Sequence, residues 1–251
     1  MPSTHEDIVN YLRQQREVFG QRLYVDTIDV EAFDVPWTQE ADIDSAPSVG
    51  TLIQETPMVV SDDGWKEGMS LEEYGQAISS CLKCPLGHSR TRFVFGSGNP
   101  NADVLVIGEA PGADEDEAGL PFVGRAGQLL TKILESVNFS RDEVYICNIL
   151  KCRPPNNRKP LVSETDQCEP YLKRQIDLVQ PRYILCLGLT AASTLLRTKQ
   201  AMKDLRGQTL TYEGIPTVVT YHPAALLRNP EWKRDTWEDM KRLRALVDAH
   251  P

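Results

Sequence analysis

No stretch of this chain approaches the roughly 20 consecutive apolar residues that a membrane-spanning helix needs. The opening MPSTHEDIVN puts acidic and polar groups where a secretory leader would carry an apolar run. The expectation is a soluble, cytoplasmic protein with no membrane partner. An overall positive charge is missing too, since 27 Lys and Arg stand against 36 Asp and Glu, a net of −9. Binding a phosphate backbone requires a basic face, but this deficit is local. Residues 1–80 hold 4 basic and 16 acidic side chains, net −12, and the remainder holds 23 and 20, net +3. A nucleic-acid partner therefore stays open to everything after residue 80. There is no internal repeat. A second short cysteine knuckle is also absent: of six cysteines, only Cys81 and Cys84 form a C-x2-C pair. In a compartment that keeps thiols reduced, disulfides are disfavoured and metal or cluster ligation gains weight.

The length of 251 residues suits one buried domain with appendages. Residues 3–25 read as a lone amphipathic helix opened by a Ser3/Glu6 capping box, with Ile8, Leu12, Phe19 and Leu23 on one face. The chain from 26 to about 70 is acidic, lacks periodicity and is broken by Pro36, Pro47 and Pro57, the composition of a flexible linker. From 71 to 251 the texture is that of a folded domain. The runs 102–112, 144–152, 182–189 and 216–223 each read as a buried strand ending in a polar or glycine-containing turn. Helical patterns at 127–138, 164–179 and 190–198 lie between them. Alternating strands and helices imply a parallel sheet between helices, whose ligands bind beyond the carboxyl ends of the strands.

Those ends hold the chemistry-bearing residues. The first strand closes in Gly108-Glu109-Ala110-Pro111-Gly112, a tight turn able to aim amides at a ligand, followed by Glu115 and Asp116. An ordinary solvated loop would read the same way. Phe122 puts an aromatic before a helix, as a ligand platform or a core staple. Asn148 ends the second strand with a donor and an acceptor that suit a nucleobase edge, though asparagine is also a common turn former. His222 ends the last strand, followed by Leu226, Leu227 and Arg228. Two adjacent leucines there suit a wedge into a duplex with Arg228 on phosphate, or simply start a helix on the core. Cys152 and Cys168 can join Cys81 and Cys84 to hold zinc or a [4Fe-4S] cluster, and the missing second knuckle tilts the choice toward the cluster. Cys147 and Cys186 lie inside apolar strands and read as core.

Four motifs in order, the C-x2-C at Cys81 and Cys84, GEAPG with its following Glu115-Asp116, NILKCRPPNNR and HPAALLRNP, resemble the family-four uracil-DNA glycosylases over about residues 75–247. These are the iron-sulfur branch of their superfamily. The resemblance implies a three-layer α/β/α sandwich around a short, mostly parallel four-stranded sheet, and a [4Fe-4S] cluster on Cys81, Cys84, Cys152 and Cys168. It implies base excision repair: uracil is flipped from double- or single-stranded DNA and its N-glycosidic bond is hydrolysed. Gly108, Ala110, Phe122 and Asn148 would bind the base, with Phe122 stacking on it and Asn148 reading its edge. His222 would face the oxygen that gains charge. Glu109 and Asn157 match positions tied to catalysis and pocket shaping, and Glu115 a further acidic position. Leu226, Leu227 and Arg228 would meet the DNA.

Ala110 stands where the best-known uracil glycosylases carry a water-activating aspartate, so water must be oriented differently here. Asn148 runs through Ile149-Leu150-Lys151 directly into Cys152, without the basic, histidine-bearing insertion of the branch that traps the sugar covalently. Turnover is therefore expected. The expected species is a monomer, with the front helix available to a repair-protein partner. Two rival readings remain: a non-catalytic binder of uracil-containing or damaged DNA, and a zinc-stabilised nucleotide hydrolase on a similar sheet.

Overall fold

The computed structural model describes residues 68–249. The helix expected over 3–25 and all but the end of the linker to residue 70 lie outside the described residues. Six strands form one sheet: β1 (Ser97–Gly98), β2 (Val104–Gly108), β3 (Tyr145–Asn148), β4 (Tyr183–Leu187), β5 (Thr209–Tyr212) and β6 (Ile215–Thr220), in the order β1-β3-β2-β4-β6-β5. The central β3, β2, β4 and β6 run parallel, and these are the four strands read from the sequence. The two edges are additions, both antiparallel. β1 has only two residues, too few to leave a periodic trace. β5 is largely exposed and joins β6 through Glu213-Gly214, both at positive φ (46° and 87°), as a two-residue hairpin turn requires.

The central strands are apolar throughout because helices cover both faces. Val104, Val106, Leu185, Leu187 and Val218 pack against Leu130 and Leu134 of the helix Arg125–Glu135 and Met240 and Leu243 of the helix Lys233–Asp248. Alternate residues Leu105, Ile107, Ile184, Cys186 and Val219 face Leu172, Ile176 and Val179 of the helix Val162–Val179 and Ala191, Ala192 and Leu195 of the helix Leu189–Leu195. Each buried aliphatic side chain contributes about 1.5–3 kcal/mol relative to exposure. Cys147 and Cys186 belong to this second face, where burial pushes both thiols up, Cys186 to about 12. A third apolar cluster unites Tyr74, Ile78, Leu86, Leu150 and Tyr171 with Cys81, Cys152 and Cys168.

Candidate active site

A cleft of about 350 Å3 opens at the carboxyl ends of the parallel strands, walled by the turn after β2, the end of β3, the segment 154–158 and the helix Pro223–Arg228 after β6. Glu109, Ala110, Glu115, Phe122, Asn148, Asn157, His222 and Arg228 all line it. Residues from five separate stretches thus meet in one place. Gly108 explains how closely they meet. A Cβ at that position would lie 2.3 Å from Asn148 Oδ1 and 2.5 Å from Phe122 Cζ, so only glycine lets the amide and the ring converge over the strand end. Asn148 is buried at 1% exposure, and its Oδ1 has no hydrogen-bond partner. Leaving a buried acceptor unmet costs about 1–3 kcal/mol, which marks the atom as awaiting a donor.

The Phe122 and His222 rings lie 5.5 Å apart at 34°. His222 caps the helix Pro223–Arg228, its Nδ1 accepting from the Ala224 N–H at 3.1 Å. That bond leaves the proton on Nε2. Removal from water, reinforced by the nearby Arg228 cation, pulls the His222 pKa down to about 4. At neutral pH this side chain is an uncharged N–H donor. Phe122 is at once core and cleft wall, packed on the face of Leu130 and Leu134 and held at φ 54°, a left-handed conformation that a bulky residue rarely adopts. Arg141 holds it there by donating to the Phe122 carbonyl at 3.1 Å and the Pro121 carbonyl at 3.0 Å.

Glu115 lines the same cleft, and its carboxylate is engaged with backbone. One oxygen accepts from the Val123 and Gly124 N–H groups at 2.9 Å each, the other from Gly112 at 3.0 Å. It ties the GEAPG turn to the Phe122 loop. Asn157 stands at the rim at φ 54°, its Oδ1 accepting from Arg153 Nε at 2.8 Å. The paired-leucine expectation needs correcting. Leu227 is 41% exposed, but Leu226 is fully buried. Neighbouring positions on a helix diverge by about 100°, so one of two adjacent leucines must turn inward once the helix docks. Leu227 and the exposed Arg228 remain as the outward pair.

Behind the GEAPG turn, Ala110 packs against the cluster that gathers Cys81, Cys152 and Cys168, with Cys84 beside it. Polar donors point at the sulfurs: Tyr171 Oη to Cys81 at 3.1 Å, Arg90 to Cys152 at 3.3 Å, and the Lys151 N–H to Cys168 at 3.4 Å. Burial raises the Cys84 thiol, pushes Cys152 to about 11 and Cys168 to about 12. Thiolates in such surroundings need a cationic centre to hold them. Among the described residues no three His, Cys, Asp or Glu side chains close around a single-ion position. Three buried cysteines thus lie in one apolar region with the half-buried Cys84 packed beside them, and donors point at three of these sulfurs.

The model of the Uracil DNA glycosylase superfamily matches residues 95–241, more than half of the chain. The chain belongs to that superfamily. Type-4 uracil-DNA glycosylase of Pyrobaculum aerophilum is 43% identical over 182 residues, 68% of this chain and 92% of the relative. The type-4 enzyme of Thermotoga maritima is 40% identical over 181 residues, covering 70% and 94%. Type-5 uracil-DNA glycosylase of P. aerophilum is less similar, 33% identical over 173 residues, covering 61% and 74%. Within this superfamily member, several cleft-shaping groups escaped sequence reasoning. Arg141 gives no local signal of its 19-residue reach to Phe122. Arg158, on the cleft wall, pairs with both oxygens of the buried Glu164, which lowers the Glu164 pKa against the opposing effect of its burial.

Proposed function

We propose that this chain is a type-4 uracil-DNA glycosylase that flips uracil from DNA, hydrolyses its N-glycosidic bond and releases the base. The observation carrying this reading is the buried, unpartnered Asn148 Oδ1 beside Phe122 in the cleft. Uracil presents an N3–H that can donate to this oxygen. Cytosine presents a lone pair at N3, and two facing acceptors in a dry site cost what the correct base gains. Phe122 offers an aromatic surface for the extruded ring. Thymine requires exclusion of its methyl group by the cleft wall.

As the bond from sugar C1′ to base N1 breaks, the electron pair leaves with uracil, and negative charge spreads onto its oxygens. A neutral His222 Nε2–H stabilises that charge without the proton transfer an imidazolium would invite. Water adds to C1′. Ala110 offers no carboxylate for it, whereas the adjacent Glu109, half-buried on the cleft wall, is positioned to orient it. Glu115 and Arg141 act indirectly by holding the GEAPG turn and the Phe122 loop. Leu227 fills the space left by the flipped nucleotide, and Arg228 meets phosphate.

Cys81, Cys84, Cys152 and Cys168 would hold a [4Fe-4S] cluster, which when bound cross-links segments about ninety residues apart and takes no part in bond cleavage. The type-4 relatives support the cofactor, as do the donors aimed at the sulfurs. The proposed species is a monomer, and the expected setting is the cytoplasm. Among the described residues no helix is long and apolar enough to cross a membrane. Incubation with uracil-bearing single- and double-stranded oligonucleotides should release free uracil and leave alkali-labile sites. Retention of the base would favour the non-catalytic binder.

A further inference from the structure

Lys151 is fully buried and lines no part of the cleft. Lysine is rarely so placed without an acid beside it, yet its hydrogen-bond partners here are neutral. Its Nζ donates to the Asn148 carbonyl at 2.7 Å and to Gln175 Oε1. Its backbone N–H donates to Cys168 Sγ at 3.4 Å, and its carbonyl accepts from Val94 at 2.9 Å. Gln175 passes the connection on, donating to the Phe95 carbonyl at 3.0 Å and to Tyr145 Oη at 3.4 Å. Cys168 and Gln175 are seven residues apart on the helix Val162–Val179, two turns along one face. That face therefore grips Lys151 at both ends, by backbone through one residue and by side chain through the other.

We propose that Lys151 is a positioning residue: a buried clamp that fixes Asn148, and with it the base-reading edge of the cleft, to the helix carrying Cys168. The inference rests on the role proposed above for Asn148. Deleting the donor to a buried carbonyl leaves that carbonyl unmet. β3 ends at Asn148, so beyond it the ladder continues only through the Ile149 N–H to the Gly108 carbonyl and the Leu150 N–H to the Glu109 carbonyl. Lys151 is the side chain that ties this tail to the helix Val162–Val179. It also places the third and fourth cysteines in register with the cleft, because Cys152 follows it directly and Cys168 accepts from its N–H.

Lys151→Met keeps the length and apolar stem of the side chain and removes its donors. Single-turnover uracil excision should fall about 10- to 100-fold, the usual consequence of displacing a reacting geometry by about 1 Å. Affinity for uracil-bearing duplex should stay within about threefold, and the visible absorption of the holoprotein should be retained. Amide hydrogen exchange at residues 148–150 should quicken at least about tenfold, whatever the activity. Gln175→Leu leaves the Lys151 bond to Asn148 in place and removes its outer anchor, so the same changes should appear in weaker form. It decides the matter if Lys151→Met does not fold. Wild-type excision rates with unchanged exchange in a folded variant would overturn the clamp, as would equal losses of rate and affinity. A wild-type protein that releases no uracil would instead sink the proposed function, leaving the exchange measurement to judge the clamp alone.

Discussion

Gly108→Ala adds a single methyl group at the point where the cleft is narrowest. Its Cβ would stand 2.3 Å from Asn148 Oδ1, 2.5 Å from Phe122 Cζ and 2.7 Å from Phe122 Cε2. Favourable contacts between carbon atoms lie at about 3.5–4.0 Å, so amide and ring must each retreat by roughly 1 Å. The strand itself cannot yield, because all five residues of β2 are buried and pair with β3 and β4 on either side. Overpacking of this kind costs about 1–3 kcal/mol, a loss that thermal unfolding should register as a lower Tm. The larger effect falls on chemistry, since a 1 Å displacement of the base-reading group corresponds to about a 10²-fold loss in rate. Single-turnover excision from a uracil-bearing oligonucleotide, read by alkaline cleavage, measures it, with duplex affinity followed in parallel. A folded Gly108→Ala protein that excises at the wild-type rate would refute the convergence of Asn148 and Phe122 on the substrate.

Three further outcomes follow from the same geometry. With the His222 pKa depressed from 6.5 to about 4, the unfolded chain takes up a proton between these values and the folded protein does not. Stability contributed by this group is therefore complete above pH 6.5 and declines by up to about 3 kcal/mol as pH falls toward 4. Excision should show no inflection near pH 6.5 and lose rate only toward pH 4–5; an inflection at 6.5 would show a charged imidazole at work. Leu227→Ala should weaken flipping in duplex more than in single strands with little change in Tm, whereas Leu226→Ala should lower stability by about 2–5 kcal/mol; the reverse pattern would put Leu226 on the DNA. Cys152→Ser should yield colourless or poorly folded protein, and brown protein with normal iron content would exclude it as a ligand.

The four parallel strands were legible because burial on both faces makes each a short unbroken apolar run, and the parallel arrangement followed from the helices between them. Their carboxyl ends then pointed to Glu109, Asn148 and His222 as residues of one cleft. The edge strands were not legible, since a two-residue strand has no period and β5 is paired on one side only. The helix Leu71–Ala77, opened by reciprocal capping bonds between Ser70 and Glu73, was not read from the sequence, because its seven residues leave too short a stripe to stand out. Leu226 and Leu227 look alike until a helix docks and separates them. The interior connections were least visible of all: the carboxylate of Glu115 on three backbone N–H groups, Arg141 on the Phe122 loop and Lys151 between Asn148 and Gln175 are decided by tertiary packing, which spacing along the chain does not encode.

Asn148→Ala tests the central claim most directly, because it removes the unpartnered acceptor while leaving the aromatic ring, the imidazole and the outward Leu227-Arg228 pair in place. Excision of uracil should fall by about 10²–10³, with the affinity for uracil-bearing duplex nearly unchanged. Undiminished excision, or a loss of affinity as large as the loss of rate, would contradict the reading of the base by this side chain.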